Sequence, residues 1–388
     1  MADERPLPAV LFAGFALASV GGPLALAAVY LPDAIGGPAI GSAGLAVVAG
    51  AALFAAPLLI WWRYSGEVAS GGGLSAFVER AAGRRAALVH AGIWTISYFL
   101  YLPFTVTYLV YEQLPAMFPG AAAHRQLLEV AVPVAIAAVV VLAERAAFVL
   151  VAAVAAGQVL LTVALAAVLA RHLGGHASAF GVHGNGGSVA RGAGNTALLF
   201  ICASLPLFLA GEVAGGGRMV RRTVAIAVGI TAVLILGVAV PIAALAGSSV
   251  ASLEAPGYVL AKTYEGDGFA AAVGAGAIAS IVAVIVAEFV ALTRLIRGML
   301  GIPVARSGPV IAVLFVAGDL LSLIDPDKAY SYALTPSLVA LYISQAIVFL
   351  VYPRFRGRPS RIEWLAVLAA TGLAGFGLEV VISQQPYT

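Results

Sequence analysis

The residues of this chain that could bind or move a ligand are few, and they sit inside apolar runs. Glu288, within AVIVAEFVAL, is read as the deepest acid, and a buried carboxylate without a partner is costly and tends to hold a proton. It could carry a coupling proton, balance a cationic ligand or make a structural hydrogen bond, and the sequence leaves these three open. Gln158 is an uncharged polar group at depth, either part of an ion or proton site or a bridge between helices. Glu129, Asp319 and Glu379 are placed nearer the ends of their runs, within reach of water or headgroups. Tyr98, Tyr101 and Tyr108 recur at roughly helical spacing and would share a face, lining a cavity or packing against neighbouring helices. Tyr30 ends its run and reads as part of the aromatic belt of a membrane interface or as a gate, the belt being preferred.

A stronger signal lies in the backbone. Residues 8–32 form an apolar run long enough to cross a bilayer but broken in its middle by Gly21, Gly22 and Pro23. Proline removes a donor and glycine eases departure from helical geometry, so unpaired backbone groups are expected at mid-membrane. Such groups are tolerated only where they face protein, water or a ligand. A second break falls in NTALLFICASLPLFLAGEV, at Cys202, Ala203, Ser204 and Pro206. The two broken runs are five spans apart, so they cross in opposite directions, as an inverted repeat of five helices requires. The carbonyl end of one half-helix accepts from an ammonium group, and the amides after Pro23 and Pro206 attract a carboxylate, so a zwitterion suits the pair.

The elements that must carry these residues are membrane helices. Hydrophobic residues make up 62% of the 388, charged residues 10%, and the mean hydropathy is +1.03, which excludes a water-soluble domain. Eleven spans are predicted at about 8–32, 39–62, 87–111, 128–143, 147–170, 196–211, 223–247, 270–293, 308–324, 331–353 and 362–382. With the N-terminus cytoplasmic, only Arg125, Arg171, Arg191, Lys262 and Lys328 of the 21 basic residues fall outside; Arg5 and the rest fall inside. An odd number of spans then puts the C-terminus outside the cytoplasm. The scarcity of lysine beside abundant Ala, Gly, Val and Arg suggests a GC-rich bacterial genome, hence a bacterial inner membrane.

Other function classes lose ground on the same residues. The pI near 9.0 does not indicate nucleic acid, because the basic residues are spread over short loops. The single cysteine, Cys202, excludes an internal disulfide. His172, His176 and His183 fit no metal-ligand spacing, and their glycine-rich segment, 172–195, reads as a flexible outer loop. The polar segment 248–269 reads as a lid, and the stretch between the second and third spans as a small amphipathic element at the inner surface. There is no HExxH, no serine elbow and no cofactor motif; AGDLL around Asp319 resembles part of an intramembrane aspartyl protease motif but lacks a second acid in its Tyr-Asp context.

Residues 36–120 resemble the second and third spans of amino acid/polyamine/organocation superfamily transporters, with Glu67, Gly71 to Gly73, Phe77, Gly92 and Trp94 as counterparts of the family's acid, glycine and aromatic pattern. AGEVAGGGRMVRRTVAIAV resembles the inner end of the family's sixth span, with Glu212, Val213, Arg221, Arg222 and Thr223 in register. GAIASIVAVIVAEFVALTRLIRGM resembles its eighth span, ending at Arg294 and Met299. The likeness extends over about residues 8–353 and implies a leucine-transporter-like fold with a central amino-acid or amine site. It implies substrate contacts from Ser19, Val20, Gly21, Gly22 and Pro23, where the family has Gly-Ser-Gly, and from Phe200, Ile201, Cys202, Ala203 and Ser204, where it has Phe-x-Gly-Phe. Tyr98 and Tyr101 join that candidate site. Sodium-dependent members use a Ser/Thr pair on the eighth span; alignment on Arg294 puts Ser280 and Ile281 there, and Ile281 offers no oxygen to a hard cation.

The expectation is therefore an all-α polytopic membrane protein in which residues 1–388 form one transport domain. Residues 8–170 would be the first inverted repeat, 196–353 the second, and 362–382 an additional helix, with the first and sixth helices discontinuous. The expected function is proton-coupled symport or exchange of an amino acid or related amine, with Glu288 and Gln158 as proton-coupling candidates. A non-transporting amino-acid sensor is the alternative, and an intramembrane enzyme a more distant one.

Overall fold

The computed structural model describes residues 6–383. Within them eleven helical elements are long and apolar enough to cross a membrane: α1 Ala9–Ile35, α2 Gly37–Tyr64, α3 Arg84–Met117, α4 Pro119–Leu142, α5 Glu144–Leu173, α6 Gly186–Leu209, α7 Gly216–Leu245, α8 Asp267–Leu300, α9 Val304–Leu323, α10 Pro326–Arg356 and α11 Arg361–Ser383. Arg5, used above to orient the chain, lies outside the described residues.

Helix α1 breaks where the sequence says it must. Ala9–Ser19 is α-helical, Gly21 and Gly22 adopt φ of +108° and +69°, and helix resumes at Pro23. Only glycine enters that left-handed region cheaply. Proline at the first position of the new helix loses nothing, since its missing N–H would have had no intrahelical partner. A wider, π-helical turn follows at Leu26–Tyr30, and a second one interrupts α3 at Leu109–Gln113. Such turns insert an extra residue and re-aim the side chains around them.

Helix α6 departs from expectation at its start. The first half runs from Gly186 to Leu198, so residues 186–195 of the predicted flexible loop 172–195 are helix; Asn185 caps it by accepting from the Gly187 amide at 2.8 Å. The glycines serve close packing. A Cβ at Gly192 would lie 2.7 Å from the Ile35 carbonyl, and one at Gly50 of α2 would lie 2.8 Å from the Ala193 carbonyl. Small residues let membrane helices approach in this way. After Leu198 the chain tightens into a 3-10 helix, Ile201–Leu209, which contains Pro206.

The first half of α1 packs on α5, α7, α8 and the 3-10 half of α6, and the first half of α6 packs on α2, α11 and the end of α1. The two broken helices thus lie side by side at the centre. Around them α3 pairs extensively with α10, and α4 with α9. Apolar side chains such as Leu142, Leu160, Val163 and Leu368 point outward, as lipid-facing surfaces require. The segment between α7 and α8 is ordered, with a helix at Pro256–Glu265 whose Gly257 lies against Ala28 of α1.

Candidate functional site

At the junction of α1, α3, α6, α8 and α10 is a cavity of about 210 Å³. Of the substrate-contact candidates from the sequence, Gly21, Tyr98, Tyr101, Ile201 and Cys202 line it, as do Tyr30 and Ile281. Four tyrosine rings shape the wall, from Tyr30, Tyr98, Tyr101 and Tyr342, and Ser97 and Thr105 add hydroxyls. Trp94 stacks on Tyr98 with ring centroids 4.0 Å apart and is backed by Phe208 at 4.3 Å, which fixes the orientation of the tyrosine.

The other candidates stand behind this wall. Val20, Pro23, Phe200 and Ala203 are buried in packing, with Phe200 5.5 Å from the Phe54 ring. Ser19 donates to the Ala16 carbonyl at 3.0 Å. Ser204 donates to the Ile201 carbonyl at 3.2 Å and accepts from Gln345 of α10 at 3.4 Å. Gly22 faces away from the cavity towards Gln158 and Ser280: a Cβ there would lie 3.1 Å from Gln158 Oε1 and collide with the Ser280 hydroxyl. Ser280 accepts from the Ala25 amide at 3.3 Å, satisfying one donor exposed by the break. Both polar atoms of the Gln158 amide lack a hydrogen-bond partner among the described residues.

Glu288 is 0% exposed and neither carboxylate oxygen has a hydrogen-bond partner among the described residues. It lies one turn beyond Val284, a cavity-wall residue, or about 6 Å along α8. Its charge would be felt at Tyr98, Tyr101 and Cys202. It is not the only acid shielded from water, however: Glu129 and Asp319, placed within reach of water by the sequence reading, are also 0% exposed. Their positions along the helix are near its end, but α3, α4 and α9 close over them, which linear position does not reveal.

Contacts tie the helices together on each face of the cavity. On the face bearing the N-terminus, Leu7 donates its amide to the Glu212 carbonyl at 2.8 Å and its carbonyl accepts from Ala214 at 3.4 Å, strapping the start of α1 to the segment after α6. Beside this strap Arg294 of α8 bridges Glu144 at 2.5 Å and Glu212 at 2.9 Å, and Arg297 reaches Glu212 at 3.0 Å. On the far face Tyr30 stacks on Tyr108 at 6.0 Å, with Tyr330 behind at 6.3 Å. Tyr30 borders both the central cavity and a vestibule that contains Asp33, Glu112 and Glu254. Of the two readings of Tyr30, interfacial belt or gate, the preferred belt is corrected in favour of the gate: Tyr30 ends the π-turn of α1 and its ring stacks on Tyr108, the residue just before the π-turn of α3.

This architecture has solved counterparts. The structure of MhsT in complex with L-phenylalanine matches with a TM-score of 0.63 over 95% of this chain and 97% of that one, at 13% identity. This is a leucine-transporter-like fold. The same fold is seen in the Eremococcus coleocola manganese transporter in complex with an aromatic bis-isothiourea substituted compound, with a TM-score of 0.55, 14% identity and coverage of 94% and 87%. Mhp1, a nucleobase-cation-symport-1 family transporter in a closed conformation with bromovinylhydantoin bound, matches with a TM-score of 0.56, 11% identity and coverage of 99% and 94%. No protein-family model matches the chain, and no curated protein matches it in sequence.

Several cavity residues carry no sequence motif. Ser97, Tyr101 and Thr105 are spaced four apart on α3, a stripe that extension of the tyrosine pattern would have found. Tyr342, Leu338 and Leu341 of α10 reach the cavity only because α10 packs along α3, and nothing local marks them.

Proposed function

We propose that this protein is a secondary carrier for a small amino acid or related amine, working by alternating access with proton coupling or exchange in a bacterial inner membrane. The observation that carries this reading is a small cavity beside two broken helices with a separate closure on each face: the Leu7 strap and Arg294 cluster on one, the Tyr30 and Tyr108 stack on the other. A carrier needs a site that each face can reach in turn and closures that open independently. A volume of about 210 Å³ lies below the ~300–1,000 Å³ of drug-sized sites and suits a small metabolite. The tyrosines offer apolar ring faces and phenol hydroxyls, and the open backbone of the breaks offers poles for an ammonium and a carboxylate.

In this reading the N-terminus is cytoplasmic and the C-terminus extracytoplasmic, and residues 8–170 and 196–353 are the two inverted repeats. Glu288 is the first candidate for the coupling proton, because it is an unpaired acid next to the cavity, and Ile281 supplies wall rather than an oxygen ligand. The test is uptake of a labelled amino-acid and amine panel into proteoliposomes under imposed pH and sodium gradients. Accumulation driven by a pH gradient, or counterflow without one, is expected. Specific binding with no flux would make the protein a sensor, and accumulation that requires sodium would remove the proton assignment.

A further inference from the structure

A second buried acidic centre lies away from the central cavity, where α3, α4 and α9 meet. Glu129 of α4 and Asp319 of α9 are each 0% exposed and interact electrostatically. Thr107 of α3 donates to Glu129 Oε1 at 2.8 Å, and Ser322 of α9 contacts the same oxygen. Glu129 Oε2 and both carboxylate oxygens of Asp319 have no hydrogen-bond partner among the described residues. We propose that Glu129 and Asp319 form a proton-binding site distinct from the central cavity, holding at least one proton at neutral pH.

The hydrogen count favours a bound proton. The single hydroxyl hydrogen of Ser322 faces two oxygens, the Asp319 main-chain carbonyl at 2.6 Å and Glu129 Oε1. It serves one of them fully, and a proton on Glu129 supplies the other contact while Oε1 still accepts from Thr107. Two adjacent carboxylates with three oxygens unpartnered would have to keep both charges out of water, at a cost of several kcal/mol per ion. Carboxyl pairs in such settings retain a proton between them.

The surroundings supply no cation in its place. On α3, Tyr111 is within electrostatic reach of both acids, and Glu112 faces Glu254 and Asp327 instead. On α4, Arg125 is one turn from Glu129 but donates to the Tyr111 carbonyl at 3.1 Å and sits over the Tyr111 ring. On α8, which packs against both helices, Phe289 meets Phe315 of α9, and Glu288 couples to the central tyrosines. Where α10 begins, Lys328 is paired with Asp325 at 2.9 Å. On α5, Glu144 is engaged with Arg294 and Arg145 lies beside it at the opposite end. A proton, unlike a metal ion, also needs no space or further ligands there.

Infrared spectroscopy of the full-length protein tests this directly, through the C=O stretch of a protonated carboxyl. The Glu288→Gln background removes the other buried acid that lacks a partner, without touching the pair; Glu363, also buried, accepts from Tyr352 and is paired with Arg356. In that background a protonated-carboxyl band is expected at pH 7, about three units above ordinary carboxyl pKa values. Glu129→Gln and Asp319→Asn should each shift it, and the double variant should abolish it. A band that survives in the double variant, or no band at all, overturns the proposal. So does a band that sodium or magnesium chloride removes, since the site would then be a cation site. Should a variant of the pair not fold, the Glu288→Gln chain alone still decides: a protonated-carboxyl band at pH 7 supports the proposal, and its absence overturns it.

Discussion

Glu288 sits at the foot of the cavity with no partner for either oxygen, so its charge has to be relieved by a proton or a ligand. Glu288→Gln keeps the shape of the neutral acid but has no proton to release. If Glu288 carries the coupling proton, this variant retains substrate binding and exchange in proteoliposomes but loses accumulation driven by a pH gradient. Accumulation equal to that of the parent would rule Glu288 out as the obligatory carrier. At this scale the sequence was informative where chemistry is local. A lone acid in AVIVAEFVAL announces itself, whereas the burial of Glu129 and Asp319 depends on which helices close over them. The choice of belt over gate for Tyr30 failed for a related reason, since a π-turn rotates its ring and leaves no residue signature.

Breaks and closures belong to the scale of the element. Gly22 holds a φ of +69° against Ser280 and Gln158, so Gly22→Leu adds backbone strain and a steric collision at once. Because the break is local, the variant should still be extracted folded, with substrate binding abolished in equilibrium binding measurements; normal binding would detach the break from the site. Arg294→Ala removes the cation shared by Glu144 and Glu212. Those carboxylates are 32% and 22% exposed, so the loss should fall at about 2–3 kcal/mol, below the ~3–5 kcal/mol of a fully buried pair. The structure should loosen first at the strap, which hydrogen exchange would register as faster exchange of the Leu7 and Ala214 amides with the far face unchanged. The break in α1 was legible because Gly-Gly-Pro is a rare neighbour set inside an apolar run. The start of α6 was not, because glycine marks close packing as readily as flexibility, and only the contacts of Gly192 with α1 and of Gly50 in α2 with α6 tell the two apart.

For the whole molecule, the alternation of direction between two broken helices five spans apart was enough to anticipate the architecture, since it depends on counting apolar runs. Which faces meet was beyond the sequence: α10 contributes Tyr342 to the cavity through its packing on α3, a contact between distant segments. The enclosed site has a practical consequence that rests on one atom. Cys202 is the only thiol in the chain, and its sulfur belongs to the cavity wall. Nature has thus supplied a single-cysteine reporter with no background to remove. On the reading that the two closures gate the cavity, the rate at which a maleimide alkylates Cys202 is a clock for the fraction of time a gate stands open. A membrane-impermeant reagent applied to one side of sealed vesicles would tell which gate that is, and a bound substrate should slow the clock from either side.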